Sequence, residues 1–398
     1  MFMDIKNCKV KGKVVFLRAD MNVPLKGTEV LDDTRIRVTI PTIEYLVSHG
    51  AKTILASHLG KAAGKGFDKN FSIKIVLERL QSYLPKVKIH YSEECIGSSV
   101  RKIINNANFG DVILLENLRF YEGEESNDKK FAKELASLAD IYVNDAFSTC
   151  HREHASMVGI QDFIDSYAGI NLKTELDTLT GLVFKSEKPF MVIVGGSKIS
   201  TKLGLLKALV SRSDYLVVGG GMANTFLAAS GFNIGKSIVE ENLKDAALEA
   251  LKEADKNGCR VILPVDVIVA KNIKENQVVT VKTLKNIAVD DIIVDLGPET
   301  IKLIKNTLEI CKTVVWNGPI GIYEMSPFDR GTNYLARTIS ELTLDGKIKS
   351  VAGGGDILAA LNKIGVYDDF TYLTTAGGAF LQWLERKTLP AIEKLKKY

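Results

Sequence analysis

Basic residues and polar acceptors recur in the first half of the sequence, each time shortly after a short apolar run. Arg18, Asp20 and Asn22 follow VVFL, and the last two would share one side of an extended segment, where side chains alternate. Arginine binds phosphate or carboxylate through paired hydrogen bonds, whereas amide and carboxylate oxygens accept from hydroxyl groups. The further members of this set are Arg35, His58, Lys61, Arg119 and Arg152. Together they predict a site for a small, hydroxylated, multiply charged anion. For each residue taken singly, a surface ion pair is the alternative.

Four glycine-rich turns follow apolar runs in the second half of the sequence. They are GGSK at 195–198, GGGM at 219–222, NGPI at 317–320 and GGGD at 353–356. Glycine lets the backbone approach a phosphate closely, and the free N–H groups at a helix start bind anions. A single turn of this kind is common in any fold, but four in one region favour a nucleotide site.

The motifs of the more familiar nucleotide-binding classes are missing. The sequence has no GxxxxGK[ST] segment of a P-loop protein, no GxGxxG segment of an NAD-dependent dehydrogenase, and no HRD and DFG segments of a protein kinase. Asp356 would suit Mg²⁺, which usually takes one or two carboxylates together with substrate phosphates. It would equally suit an ordinary helix N-cap, and both alternatives remain open at this point.

Length and composition predict a two-domain globular protein. A chain of 398 residues is long for one hydrophobic core, and 46% hydrophobic residues supply enough apolar material for two. The formal net charge of +4 is small for this length and argues against nucleic acid or a membrane surface as the main partner. Five separated cysteines without a CxxC pair indicate a reducing compartment, and no signal-peptide segment is apparent. A cytoplasmic location is expected.

The elements that must position these residues alternate between short apolar strands and helices. Strands are expected at 14–17, 53–57, 112–115, 141–144, 190–194, 215–218, 260–263, 313–316 and 349–351, and helices at 72–83, 128–139, 202–210 and 243–257. Near-continuous apolar strands between helices indicate parallel sheets covered on both faces. The predicted class is α/β, with two doubly wound, Rossmann-like lobes whose ligand loops follow the carboxyl ends of the strands.

A helix predicted over 166–181 separates the two halves of the chain. A helix between two α/β lobes can act as a hinge, because its ends absorb backbone rotation. An ordinary surface helix would have the same length and pattern. The domain boundary is therefore expected within residues 165–188.

Ten segments in the order of the chain resemble motifs of the phosphoglycerate kinase family. They are RADMNVP, SHLG, ENLRF, DAFSTCHREHAS, VVGGSKISTKL, VVGGGMANTF, DLGPET, WNGPIGIYE, VAGGGD and TAGGAFLQWLE. The resemblance implies that residues 1–168 form a 3-phosphoglycerate-binding lobe and residues 169–380 a nucleotide-binding lobe, with a cleft that closes by hinge motion. It also implies a tail, about 381–398, that packs back on the first lobe, and a monomer that acts on 1,3-bisphosphoglycerate and ADP.

The resemblance also implies roles for individual residues. Arg35 and Lys198 would be catalytic, and Asp356 would hold Mg²⁺ through the nucleotide phosphates. The implied substrate contacts are Asp20, Met21, Asn22, Arg35, His58, Leu59, Gly60, Lys61, Arg119 and Arg152. The implied nucleotide contacts are Lys202, Gly219, Gly220, Gly297, Asn317, Glu324, Gly354, Gly355, Asp356 and Ile357. A non-catalytic protein of the same fold would be favoured if Lys198, Arg35 or Asp356 were replaced, and all three are present.

Three positions depart from the family pattern. Lys61 stands where arginine is usual, which turns a two-pronged contact into a point charge, and Ala376 replaces one glycine of a triple. Ile357 replaces the usual serine or threonine after GGGD. We expect that restoring a hydroxyl by Ile357→Thr tightens nucleotide binding several-fold. The alternative is that the isoleucine packs inward, in which case threonine would lower stability instead.

Overall fold

The computed structural model describes residues 3–27, 29–62, 64–386 and 388–395, which divide into two units. Unit 1 extends to Asp177 and resumes at Thr388, and unit 2 comprises Thr178–Lys387. Within the described ranges, no helix combines the length and the apolar character required to cross a membrane.

Unit 1 contains a parallel sheet flanked by helices. Its strands are β1 (Val14–Arg18), β2 (Leu25–Lys26), β3 (Glu29–Val30), β4 (Lys52–Ala56), β5 (Ile89–Tyr91), β6 (Val112–Leu114), β7 (Ile141–Asn144) and β8 (Ser166–Ala168). Its helices are α1 (Thr34–Arg37), α2 (Ile40–Ser48), α3 (Leu77–Tyr83), α4 (Ser98–Asn106), α5 (Glu122–Glu125), α6 (Lys129–Ala136) and α7 (Ile170–Leu179). Six strands pair in the order β5–β6–β4–β1–β7–β8, all parallel, and β2 and β3 form a short hairpin.

Both faces of this sheet are covered, which explains the continuous apolar character of its strands. Val15 and Leu17 pack in one hydrophobic cluster, whereas Phe16 between them packs in a second cluster. Successive side chains of a strand point to opposite faces, so the two clusters lie on the two faces of the sheet. Because the six strands are parallel, the polar residues that follow their carboxyl ends all lie at one edge of the sheet.

Unit 2 repeats this architecture and adds a second sheet. Its strands are β9 (Phe190–Val194), β10 (Tyr215–Val218), β11 (Arg260–Ile262), β12 (Asp266–Ala270), β13 (Thr280–Thr283), β14 (Ile292–Leu296), β15 (Thr313–Asn317), β16 (Lys349–Gly353) and β17 (Tyr372–Thr374). Its helices are α8 (Leu203–Val210), α9 (Gly220–Ala229), α10 (Lys244–Lys256), α11 (Pro298–Leu308), α12 (Arg330–Leu344), α13 (Gly355–Ile364) and α14 (Gly377–Arg386). The main sheet is parallel, in the order β11–β10–β9–β15–β16–β17.

The second sheet of unit 2 is antiparallel and has the order β13–β12–β14. The sequence prediction of parallel sheets alone omitted it. The outer strand, β13, is largely exposed, so its residues TVKT carry no continuous apolar run of the kind that identifies the parallel strands. The α/β class with two six-stranded parallel sheets is confirmed.

The junction of the two units lies within a helix. α7 continues without interruption into a π-helical turn over Thr180–Phe184, and the units meet between Asp177 and Thr178. The helix predicted over 166–181 was wrong at its start, because residues 166–168 form β8. There Tyr167 pairs with Val143 at the edge of the sheet, so sheet pairing outweighs any local helical preference.

A C-terminal segment completes unit 1. Residues 388–395, which include α15 (Pro390–Glu393), belong to this unit, whereas α14 packs against α8 in unit 2. The Ala391 N–H donates to the Cys150 carbonyl at 3.2 Å, and the Gln161 side-chain amide donates to the Ala391 carbonyl at 2.9 Å. Residues 387 and 396–398 of the predicted tail lie outside the described residues.

Candidate functional site

The first group of site residues leaves the sheet of unit 1 at the carboxyl ends of its strands. Asp20 and Asn22 follow β1, His58 follows β4, Arg119 follows β6 and Arg152 follows β7. These four strands are neighbours in the sheet, so the loops after them emerge side by side. Arg35 joins the group from α1 through an ion pair with Asp20.

Hydrogen bonds fix the acceptors of this group. The Asp20 carboxylate accepts from the Arg35 guanidinium, from the Ser148 hydroxyl, and from the Asn22 N–H at 3.1 Å. The Asn22 side-chain oxygen accepts from the Gly60 N–H at 2.8 Å. Ser148 was not among the predicted site residues, since serine in a loop carries no signal beyond its position in the DAFSTC segment.

The cations of this group are crowded and partly desolvated. Burial, followed by repulsion from Arg152, lowers the pKa of Arg119, and burial, partly offset by Asp20, lowers the pKa of Arg152. His58 is 2% exposed, and burial together with the neighbouring arginines holds its pKa well below the usual value, so it is neutral. Arg152 Nη1 is buried and has no hydrogen-bond partner among the described residues. An anion bound here would supply the missing partner and relieve the repulsion.

Four of the predicted substrate contacts differ from the others. The side chains of Met21 and Leu59 are buried in the hydrophobic core of unit 1, so only their backbone can touch a ligand. Gly60 presents its carbonyl to the Arg119 guanidinium and its N–H to Asn22. Lys61 is exposed and lines an open surface depression rather than pairing with this group.

The second group of site residues lies at the carboxyl ends of four strands of unit 2. Lys202 joins two of the glycine-rich turns, because its ammonium donates to the Gly195 carbonyl and to the Asn317 side-chain oxygen, both at 2.6 Å. The Asn317 amide in turn donates to the Gly353 carbonyl and so joins a third turn. The fourth turn begins α9, where Gly220 has φ +64° and a Cβ would lie 2.8 Å from the Gly196 carbonyl oxygen. Only glycine permits this approach.

The charge on Lys202 is weakened by its surroundings. Burial lowers its pKa to about 8, and the charge of Asp356 only partly offsets this effect. Asp356 is exposed in the first turn of α13, which begins at Gly355 with Gly354 as its N-cap. Backbone N–H groups at such a helix start favour anions. Lys198, in the loop after β9, is exposed.

An apolar pocket of about 260 Å³ adjoins these turns. Three of the predicted nucleotide contacts, Gly220, Glu324 and Asp356, border it. Most of its wall was missed by sequence reasoning, because isoleucine is an ordinary core residue and carries no signal of a site. These lining residues include Ile238, Ile273, Ile292, Ile320 and Tyr323. A flat, apolar slot beside backbone N–H groups suits a base attached to phosphates.

Two predicted nucleotide contacts, Ile357 and Gly297, do not line the pocket themselves, although each directly follows a residue that does. Ile357 is fully buried in the main hydrophobic cluster of unit 2, so its side chain packs inward and does not border the phosphate turn. This burial favours the second of the two expectations for the position, lower stability on substitution by threonine, and the effect on nucleotide binding stays a prediction. Gly297 is buried against Asp266 at the start of α11 and is not among the residues that line the pocket.

The donors present fit a magnesium ion only if a ligand brings most of its coordination. Across the described ranges, no group of three or more histidine, cysteine or carboxylate side chains could hold a metal on its own. Asp356 offers one exposed carboxylate beside the phosphate turn. One carboxylate plus substrate phosphates is a usual arrangement for Mg²⁺.

Comparison with known proteins gives consistent matches. The family model described as phosphoglycerate kinase matches residues 5–387. A phosphoglycerate kinase from Orientia tsutsugamushi (strain Ikeda) is 47% identical over 388 residues, which is 97% of this chain and 95% of that protein. One from Xanthobacter flavus is 46% identical over 385 residues, 97% and 96% of the two chains. The solved structure of phosphoglycerate kinase from Coxiella burnetii has a TM-score of 0.90 at 39% identity and covers 99% of both chains.

Proposed function

The chain belongs to the phosphoglycerate kinase family, and from this membership we infer which substrate each of its two groups of site residues binds. It is a phosphotransferase that interconverts 1,3-bisphosphoglycerate and ADP with 3-phosphoglycerate and ATP in glycolysis. The proposals below concern the residues, the metal and the state of the molecule.

We propose that the first group of site residues, the arginine-rich group of unit 1, binds 3-phosphoglycerate. The observation that carries this assignment is the crowding of Arg35, Arg119 and Arg152 around a neutral His58, with one buried arginine nitrogen unpartnered among the described residues. The three arginines would bind the phosphate and carboxylate, and Asp20 and Asn22 would accept from the hydroxyl group. On this proposal residues 1–168 form the glycerate lobe. Of the predicted tail, about 381–398, residues 388–395 complete this lobe, whereas residues 381–386 lie in α14 of the other unit.

On the same proposal, the second group of site residues, the glycine-rich group of unit 2, binds the nucleotide within a lobe of residues 169–380. The apolar pocket takes the base, Glu324 lies where the ribose would be, and Lys202 serves the phosphates. The N–H groups after Gly354 and Gly355 would bind phosphate oxygens at the start of α13. Asp356 would hold Mg²⁺ through those phosphates, and the bound ion would neutralise part of their charge.

Arg35 and Lys198 are proposed to act on the phosphoryl group during its transfer. Its transition state is loose and spreads negative charge over three equatorial oxygens, so positioning and electrostatic stabilisation dominate. The acceptor in the direction of ATP synthesis is already an anionic oxygen, and no general base is needed. Because the two substrates belong to different units, the proposal requires an in-line transfer after hinge closure, which also excludes water.

Substitution of the two cations tests this proposal. We expect Arg35→Ala and Lys198→Ala to lower kcat by about 10²-fold or more, because each removes charge stabilisation specific to the transition state. Arg35→Ala should leave ADP affinity nearly unchanged. Arg37→Ala is the matched control, since Arg37 lies on the same helix and pairs at the surface with Asp33. Near-normal kcat in both variants, in a coupled assay of ATP formation, would contradict the assignment.

The cellular location and the oligomeric state of the protein are also proposed. The five widely spaced cysteines support a reducing, cytoplasmic location. We propose that the enzyme works as a monomer, since each of its two substrates is assigned to one unit of a single chain.

A further inference from the structure

Arg18 is the least exposed cation of the arginine-rich group and binds in three directions. It ends β1 and is 1% exposed. Its Nε donates to the Ser156 hydroxyl at 2.9 Å, and Nη1 donates to the carbonyl of Ala19. Nη2 lies 3.3 Å from Nδ1 of His58. The guanidinium therefore joins His58 to a part of the protein that is not in the proposed site.

Ser156 joins Arg18 to a buried carboxylate. Its hydroxyl donates to Glu124 Oε1 at 2.6 Å, and its backbone N–H donates to Glu124 Oε2 at 2.9 Å. Both residues are fully buried, and the Tyr142 hydroxyl holds the Ser156 carbonyl at 2.8 Å. Burial alone would raise the pKa of Glu124, but the nearby His154, the charge of Arg18 and the Ser156 hydroxyl lower it. Glu124 is thus an ionised carboxylate with a fixed orientation.

The direction of every hydrogen bond in this series follows from the chemistry of its members. An ionised carboxylate only accepts, so the single hydroxyl proton of Ser156 goes to Glu124 and the oxygen is left to accept from Arg18. Arginine only donates, so Nδ1 of His58 must be an acceptor. A neutral imidazole carries one proton, which then resides on Nε2.

We propose that Ser156 and Glu124 are positioning residues that, through Arg18, hold His58 as the Nε2-protonated neutral tautomer. This inference rests on the proposed function, in which His58 contacts the glycerate. An N–H donor at Nε2 suits an anionic or hydroxylated substrate. The other tautomer would place an N–H against a guanidinium and offer the substrate a lone pair.

The charges around His58 also oppose its protonation. Arg18, Arg35, Arg119 and Arg152 all disfavour an imidazolium, and the nearest carboxylate oxygen, Oδ1 of Asp20, lies 3.9 Å from Nδ1. The Asp20 carboxylate is already shared by Arg35 and Ser148. His58 therefore has to bind as a neutral donor, and the series from Glu124 decides which nitrogen carries the proton.

Histidine-selective ¹⁵N NMR of the full chain tests this directly. The His58 signals are assigned by their loss in His58→Gln. We expect a pyrrole-type Nε2 and a pyridine-type Nδ1 in the free enzyme, unchanged between about pH 6.5 and 8. A pyrrole-type Nδ1, or an imidazolium in this range, would overturn the proposal without any variant.

Two substitutions test the dependence on the network. Ser156→Ala removes the hydroxyl, and Glu124→Gln keeps the shape while removing the charge. In each, we expect the two His58 nitrogens to lose their distinct character through tautomer exchange, and the KM for 3-phosphoglycerate to rise about tenfold. The KM for ATP should not change. Glu122→Gln, an exposed position on the same helix, is the control and should alter neither.

Retention of the Nε2 tautomer in both variants would overturn the role of Ser156 and Glu124. The separate failure of the proposed function has a different signature. If His58→Gln leaves the KM for 3-phosphoglycerate unchanged while the tautomer responds to Ser156→Ala, the network stands and the assignment of His58 to the glycerate is wrong.

Discussion

At the scale of single residues, each of the two groups of site residues contains at least one cation whose charged form is destabilised by burial. Lys202, Arg119 and Arg152 all have lowered pKa values, with burial as the main cause. A bound anionic substrate stabilises the charged form of these side chains and so raises the pKa values that burial lowered. Binding and protonation are therefore coupled wherever one of these pKa values lies near the working pH.

Lys202 is the residue at which this coupling is measurable. Its pKa of about 8 means that the ammonium is half neutralised near pH 8 in the free enzyme. Phosphates favour the charged form, so we expect ADP binding to take up protons near pH 8 and to weaken several-fold between about pH 7 and 9.5. Calorimetry in buffers of different ionisation enthalpy measures the uptake. Lys202→Arg, which stays charged, should flatten the pH dependence. Equal proton uptake in both proteins would refute the role of Lys202.

Ile357 is a residue whose substitution should change the stability of the folded protein. Since its side chain is buried in the core of unit 2, we expect Ile357→Thr to lower the free energy of unfolding by roughly 2–4 kcal/mol, through lost packing and a buried hydroxyl. Ile357→Val is the control, because it has the shape of threonine and should cost only about 0.5–1.5 kcal/mol. Urea denaturation separates the two. Equal stabilities of the valine and threonine variants would show that the hydroxyl finds a partner.

These residues also show what sequence reasoning could reach. The glycines of the second group, and Arg119 and Arg152 of the first, were predictable because each follows a strand whose apolar run is itself recognisable, whereas Arg35 lies on α1. The isoleucines of the pocket were not, because their residue type is the same as that of the core. The side of α13 on which Ile357 lies depends on the packing of that helix against its sheet, which residue type alone does not reveal.

At the scale of elements, the antiparallel sheet of unit 2 depends on one buried carboxylate. Asp291, next to β14, has a side chain that is 1% exposed. It accepts from Lys271 at 2.8 Å, from Lys282 at 2.6 Å and from the Ala288 N–H at 2.7 Å. These contacts outweigh burial and lower the pKa of Asp291 to about 2. The carboxylate joins β13 to the segments before and after it.

We expect Asp291→Ala to lower the free energy of unfolding by roughly 1–3 kcal/mol, because it removes the buried acceptor that Lys271, Lys282 and the Ala288 N–H share. The neighbouring Asp290, an exposed partner of Lys271, is the control, and Asp290→Ala should leave the free energy of unfolding nearly unchanged. A lowered pKa stabilises the fold above the unfolded value of 3.8 and loses that effect as pH falls towards 2. Hydrogen exchange in β12–β14 would localise the loss, and unaltered exchange there would contradict the prediction.

Nine of the twelve strands of the parallel sheets were predicted to within one or two residues, whereas β5, β8, β17 and the strands of this antiparallel sheet were not predicted. For β13 the reason is physical. A strand buried on both faces needs an unbroken apolar run, which stands out in the sequence. β13 is held by backbone pairing and by Lys282 at an exposed edge, so its residues resemble those of a loop.

At the scale of the whole molecule, the proposed division of substrates between two units has a measurable consequence. Each substrate alone should close the enzyme only partly, and both together should favour the compact state, since closure gains contacts with both ligands. Small-angle X-ray scattering with neither, one and both ligands is the measurement. We expect the smallest radius of gyration in the ternary complex. No decrease would contradict a hinge within residues 165–188, and Arg35→Ala, which keeps ADP affinity, should weaken only the response to the glycerate.

The chain order of unit 1 affects how the protein is made. Residues 388–395 complete this unit through backbone contacts with Cys150 and Met3, yet they follow all of unit 2 in the chain. On the ribosome, the first 177 residues leave the exit tunnel long before that segment is synthesised. The loop that carries Arg152 therefore lacks its contacts with residues 388–395 until the last of these residues emerges from the exit tunnel. Unit 2 has its whole sequence available earlier, so it is the first of the two units that translation can complete.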